Sequence, residues 1–202
     1  MPTTTKMGIV YPASTDLVKD GATAMGTIST TVDAKTGLVL LNTTTFTGVS
    51  SFSLAADTFT SNYDNYLLMV TVNTNSADSQ VLLRVRAAGT DLTGAVYNYA
   101  YARARSTAAA IPTGAAGATS ILIGEVESTF NGRAAYKVDF ISPKVLDRTR
   151  VLYQGVDSDT ASNYAAGAGG GVVNDALAYD SATVYVGTGT FGGSYSVFGY
   201  NK

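Results

Sequence analysis

Gln80-Val-Leu-Leu-Arg-Val-Arg-Ala-Ala88 decides the fold: Val81, Leu83, Val85 and Ala87 fall on one side of an extended chain, Leu82, Arg84 and Arg86 on the other. A period of two is that of a strand with one face buried. The alternation returns in Ala134, Tyr136, Val138 and Phe140 against Lys137 and Asp139, and in Val151 and Tyr153 against Arg148, Arg150 and Gln154. Tyr66 to Val72 and Ile121 to Val126 are more continuously apolar, which predicts strands covered on both sides. Turn-rich clusters separate these runs, among them Asn73-Thr-Asn-Ser, Ala88-Gly-Thr-Asp91 and Gly187-Thr-Gly. Asn131-Gly132 fits a two-residue hairpin turn joining the strand at Ile121 to Ser128 with that at Arg133 to Ser142. The reading gives about nine strands and no helix between them, hence an all-β, jelly-roll-like β-sandwich over residues 38–202. Its last strand, Ser194 to Tyr200, is expected in the core.

Residues 1–37 read differently. Met7-Gly-Ile-Val-Tyr-Pro12 is expected to be an extended arm, because a residue preceding proline is pushed away from helical angles. Ser14, Thr15 and Asp16 are potential helix caps. Val18, Gly21, Met25, Ile28 and Val32 then follow at spacings of three and four, the seam of a short helix. That helix either packs on the body or forms a trimeric stalk, and Gly37 is its natural stop.

Composition narrows the function. Hydrophobic residues make up 46% and charged residues 14% of the chain, lean in charge for a surface wet on all sides, so part of it is expected to meet another subunit. With a net charge of −2 there is little counterion-release energy for nucleic acid, and no apolar run is long enough for membrane insertion. The chain has no histidine and no cysteine, which removes Ser-His and Cys-His hydrolases and the ligands of most zinc, copper and iron sites. No cofactor and no metal is expected.

Carboxylate chemistry remains. Glu125 and Glu127 share one face of their strand, read as a solvated face more readily than as a glycosidase pair. Asp157-Ser-Asp159 opens like a calcium loop but lacks the glycine and bidentate glutamate that would complete it. Gly169-Gly-Gly171 lacks the lysine of a phosphate loop and signals close backbone approach, in a loop or where strands meet at a symmetry axis. The strongest candidate is the stretch Ala95 to Arg105. As a strand it projects Tyr97, Tyr99, Tyr101, Arg103 and Arg105 from one face and Asn98, Ala100, Ala102 and Ala104 from the other. Tyrosine and arginine suit a subunit interface, a packed core or a sugar-stacking surface.

The stretch from Met7-Gly-Ile-Val-Tyr-Pro through Asp16 and Asp20-Gly to Met25, closing with Thr31-Val-Asp33, resembles the N-terminal segment of many tailed-bacteriophage virion proteins of minor-tail, tail-fibre or head-fibre type. Tyr63-Asp-Asn-Tyr-Leu-Leu, Leu82 to Asp91, Asn98-Tyr99 and the terminal Gly-Tyr-Asn-Lys are similar to the heads of such proteins, which are trimeric jelly rolls. The resemblance implies that Met7, Gly8, Tyr11, Pro12, Asp16 and Asp20 belong to an arm docked on other virion proteins, with a homotrimeric head facing outward. It implies a virion location after synthesis in the host cytoplasm and a host surface glycan as a candidate partner, while the lack of histidine, cysteine and a convincing acid pair is what points to no enzymatic activity. Two alternatives stand beside a trimeric appendage: a capsid decoration protein, and a carbohydrate-binding module or carboxylate-dependent glycosidase.

Overall fold

A computed structural model describes residues 37–106, 108–128, 133–158 and 164–201, together with residues 21, 23 and 25–28 of the N-terminal segment. Thirteen strands occur among these residues: β1 Leu38–Val49, β2 Ser51–Ser53, β3 Asn65–Asn75, β4 Ser79–Ala87, β5 Thr90–Asp91, β6 Tyr97–Arg105, β7 Ala108–Ala118, β8 Ile121–Val126, β9 Ala134–Ile141, β10 Arg150–Ser158, β11 Tyr164–Val173, β12 Ser181–Val186 and β13 Phe191–Tyr200.

Eight of them carry the topology. In that framework the first strand pairs with the last, β1 with β13; the second with the seventh, β2 with β12; the third with the sixth, β3 with β9; and the fourth with the fifth, β4 with β8. An antiparallel ribbon folded in this way gives one sheet in the order β1-β13-β3-β9 and another in the order β2-β12-β4-β8, which is the jelly roll. Two further hairpins, β6–β7 and β10–β11, dock side by side and extend the first sheet to β1-β13-β3-β9-β10-β11-β6-β7. The strand count exceeds the sequence estimate in part because the Ala/Gly-rich segments, poor in β-branched and aromatic residues, give little strand signal of their own.

The core lies between the sheets. Phe52 of β2 stacks on Tyr195 of β13 at 4.6 Å between ring centroids and meets Phe46 of β1 at 4.6 Å, tying first, second and last strands together. A second aromatic group joins Phe59 to Phe140 at 5.0 Å and to Tyr66 at 4.7 Å. Such pairs add roughly 0.5–1.5 kcal/mol each beyond area burial. The alternation read from β4, β9 and β10 is realised, with Val81, Leu83, Val85, Tyr136, Val138, Val151 and Tyr153 all buried. β13 lies between β1 and β3, so the last strand is indeed part of the core.

Several expectations need correction. Asn131 and Gly132 lie outside the described residues, but no hairpin joins the strands on either side: β8 pairs with β4 in the smaller sheet, and β9 pairs with β3 and β10 in the larger. The link is a crossover between sheets, which turn chemistry alone cannot distinguish from a hairpin. β3 is covered on both faces only at its start, where Tyr66, Leu67 and Leu68 are all buried; from Met69, 49% exposed, its outer face is open. Asn73 to Asn75 continue β3, so the turn comes later. Ala88-Gly89 does form the expected tight turn, both residues at positive φ (49° and 72°), between the paired Ala87 and Thr90.

Candidate functional site

The tyrosine and arginine side of β6 faces inward. Tyr97 and Tyr101 are buried, Tyr99 and Arg105 are half-buried, and Ala100, Ala102 and Ala104 face outward. Tyr97 donates to the Leu92 carbonyl at 2.8 Å and accepts from the Val85 amide at 3.2 Å. Tyr101 lies 5.7 Å from the Tyr153 ring, and the two rings cover the inner face of β11. A Cβ on Gly167 would stand 2.5 Å from the Tyr101 ring, and one on Gly169 would stand 2.6 Å from the Tyr153 ring. The glycine run is thus a strand and not a loop, and the close approach within the chain is that of tyrosine rings lying over bare backbone.

Arg103 is the centre of a buried ionic cluster. Its Nε and Nη2 donate to Asp157 Oδ1 at 3.1 and 2.7 Å, and its Nη1 donates to Glu125 Oε2 at 2.6 Å. The Glu125 amide donates to Asp157 Oδ2 at 2.9 Å, and the Tyr136 hydroxyl donates to the Glu125 carbonyl. Three strands of two sheets meet here: β6 brings the cation, β8 and β10 the anions. Burial pushes the Asp157 carboxyl above its usual range, partly offset by the Glu125 amide and Arg103. Burial also raises the Tyr101 and Tyr136 hydroxyls, with Asp157 adding to it.

This arrangement bears on three of the sequence readings, and it revises the first. Glu125 and Glu127 do not form a solvated face: Glu127 is 1% exposed, just beyond the end of β8, and Glu125 is held by Arg103. Asp157 and Ser158 belong to β10 and are buried, so they do not open a calcium loop; Asp159 lies outside the described residues. A hollow of about 60 Å³ beside the cluster, lined by Tyr101, Arg103 and Glu125 among others, has room for a few water molecules and none for a sugar ring.

The outer face of the larger sheet is the second candidate. Across it run registered rows of mostly small or apolar side chains, with Gln154, Lys137, Asp139 and Arg150 as polar members of the same face. One passes from Ala104 through Ala166, Val156 and Ala135 to Thr71. The next passes from Ala102 through Ala168, Gln154 and Lys137 to Met69. A third begins Ala100, Gly170, Leu152. Leu152 is 55% and Val156 56% exposed. The face forms an open concavity of about 690 Å³. Lys137 and Asp139, 3.3 Å apart, are the charged pair nearest its centre.

Of the N-terminal candidates, Gly21, Met25 and Ile28 are helical, with Met25 70% exposed. Met7, Gly8, Tyr11, Pro12, Asp16, Asp20, Val18 and Val32 lie outside the described residues. No family model, curated protein or solved structure matches the chain.

Proposed function

We propose that the protein is a structural component of a tailed-phage virion, a surface-exposed trimeric appendage of short tail-fibre or head-fibre type that works without catalysing a reaction. The observation that carries this reading is the pairing of a jelly-roll head with a broad exposed apolar sheet face, on a chain whose opening segment is patterned differently from the head. A head of this kind is suited to being one subunit among several, because large contiguous apolar patches on soluble proteins mark places where something else packs. The inward aim of Tyr97 and Tyr101 and the closed ion pairs of Arg103 weigh against a sugar-binding or glycosidase role. Residues 1–37 supply the attachment arm in this reading.

The breadth of the same face also favours a second reading, a capsid decoration protein, since clamping coat subunits requires wide contact. Gold-labelled antibody against residues 38–202, imaged on purified particles, tests both. Label at the tail or at isolated fibres supports the appendage, label over the whole capsid supports decoration, and absence of the protein from particles refutes the virion reading altogether.

A further inference from the structure

We infer that the concave outer face of the larger sheet is capped, before assembly, by the chain's own residues 16–33, a strap that another virion subunit must displace. The inference rests on the subunit reading above and adds how the face is kept covered until then. An open apolar surface of this breadth drives unspecific association of a free chain, so covering it is favourable. The chain carries a second uncovered apolar surface. Gly21, Met25 and Ile28 are helical and share the seam of the N-terminal segment; Met25 is 70% exposed, and a Cβ on Gly21 would meet nothing within 4 Å.

Shape, charge and reach fit one surface to the other. The sheet curls into a trough with Met69 on one side and Ala110 on the other, floored by Ala102, Ala135, Ala166 and Ala168. A concave floor of methyl groups receives a convex helix, whose larger Met25 and Ile28 side chains fill what the alanines leave open. From β3 to β7 the trough crosses five strand spacings, about 24 Å. Residues 16–33 wound as a helix would be roughly 27 Å long. They carry Asp16, Asp20 and Asp33 against Lys19, whereas the sheet face carries Lys137 and Arg150 against Asp139, so the charges are complementary. Gly37 is anchored where the Asn201 amide donates to its carbonyl at 2.9 Å. Residues 29–36, between Ile28 and that anchor, reach up to roughly 30 Å when extended. The trough begins at β3, two strand spacings or about 10 Å from β1, so the strap reaches the face of its own chain. Entering from the β1 side, it brings Met25 over the middle strands, β10 and β11.

The test uses the full chain, purified outside the virion. The chain has no cysteine, so introduced thiols are its only ones. In Met25→Cys/Ala168→Cys a short bis-maleimide is expected to join the two positions within one chain, read as a single-chain band on a denaturing gel and as a linked peptide by mass spectrometry. Met25→Cys/Ser51→Cys, with Ser51 exposed on the smaller sheet, is expected to give no link. Ala168→Cys alone is expected to react with a simple maleimide about tenfold more slowly than the same thiol with Ile28→Glu added, the ratio that about 1.4 kcal/mol of docking gives. The two are compared at equal mass by light scattering and with equal circular dichroism. No link between 25 and 168, a link only between chains, an equal link from 25 to 51, or a thiol at 168 indifferent to Ile28→Glu overturns the strap and leaves the virion reading standing. Absence of the protein from purified particles overturns the virion reading, and with it the displacing subunit, whatever the link shows.

Discussion

Replacing Arg103 with methionine keeps a side chain of similar reach while removing the cation from the buried cluster. Asp157, 2% exposed, then keeps the single hydrogen bond from the Glu125 amide and faces the Glu125 carboxylate without compensation. Breaking a buried pair from one side costs about 3–5 kcal/mol. The carboxyl has an escape, because it can take up a proton, and that escape sets a ceiling. Relative to an unfolded carboxyl at its ordinary 3.8, holding the proton costs about 1.36 kcal/mol per pH unit, about 4.4 kcal/mol at pH 7 and about 1.6 kcal/mol at pH 5. Arg103→Met is therefore expected to lose about 3–4 kcal/mol at pH 7 and less than about 2 kcal/mol at pH 5. The sign follows from the direction of the shift: a carboxyl whose folded-state value is raised binds more protons folded than unfolded, so its contribution to stability falls as pH rises above 3.8. Urea denaturation of wild type and variant at both pH values, at one fixed chain concentration, measures the difference. A loss that is the same at pH 5 and pH 7, or one below about 1 kcal/mol at pH 7, would refute the argument that Asp157 is buried and dependent on Arg103.

Gly169→Val is expected to destabilise by about 1–3 kcal/mol in the same assay, since its Cβ alone would meet the Tyr153 ring at 2.6 Å; an unchanged midpoint would contradict the ring-over-glycine packing. Ala88→Asn is expected to stabilise by about 0.5–1 kcal/mol, because Ala88 sits at φ 49° in a turn that favours asparagine there; a loss of stability would be the contrary result. The Tyr179 and Tyr200 hydroxyls are pushed up to about 12, chiefly by burial, and Tyr97, Tyr101, Tyr136 and Tyr153 also stand above their ordinary 10. These hydroxyls keep their protons in the fold after the unfolded chain has lost them, so stability is expected to fall between pH 10 and 12; absorbance at ~295 nm should show these tyrosines ionising only as circular dichroism is lost. Removing residues 1–33 is expected to leave a folded head that no longer enters particles, with sedimentation of virions as the measure.

Much of the sheet structure was legible because it rests on a period of two: β4, β9 and β10 place their apolar residues inward as written in the sequence. The ionic cluster was half legible. Arg103 shares its side of β6 with Tyr97 and Tyr101, and Asp157 is in phase with Val151 and Tyr153, so both were marked for the interior by alternation. What the sequence lacked was the sheet order that sets β6 two places from β10 and brings β8 across them. Strand order depends on pairings between distant segments, and local pattern carries no record of them. The two faces of β6 were separated correctly by alternation, but tyrosine and arginine drew attention as surface residues while alanine did not. The sheet puts the chemistry inside and leaves the methyl groups outside.

The origin of the cluster explains why this cost is tolerated in a fold that gains little from buried charge. β6 arrives in a hairpin inserted between β4 and β8, and β10 in a hairpin inserted between β9 and β12; neither belongs to the eight-strand framework. Their partner strands β7 and β11 carry so many alanines and glycines that the packing that seats the hairpins comes largely from Tyr97, Tyr101, Val151 and Tyr153 of β6 and β10. Arg103 comes from one insertion, Asp157 from the other, and Glu125 from the framework strand β8, so three ionic contacts join all three parts at one point. An ion pair requires particular partners at particular distances, whereas an alanine-glycine sheet tolerates slippage by two residues with no change of face. The cluster is thus placed to fix the register of the widened sheet, and with it the alignment of the outward alanine rows. Loss of Arg103 should therefore disturb the outer face as well as the core, and hydrogen exchange at the β6 and β11 backbone amides of Arg103→Met is the measurement: protection equal to that of the wild type would show that the rows keep their register without the ion pairs.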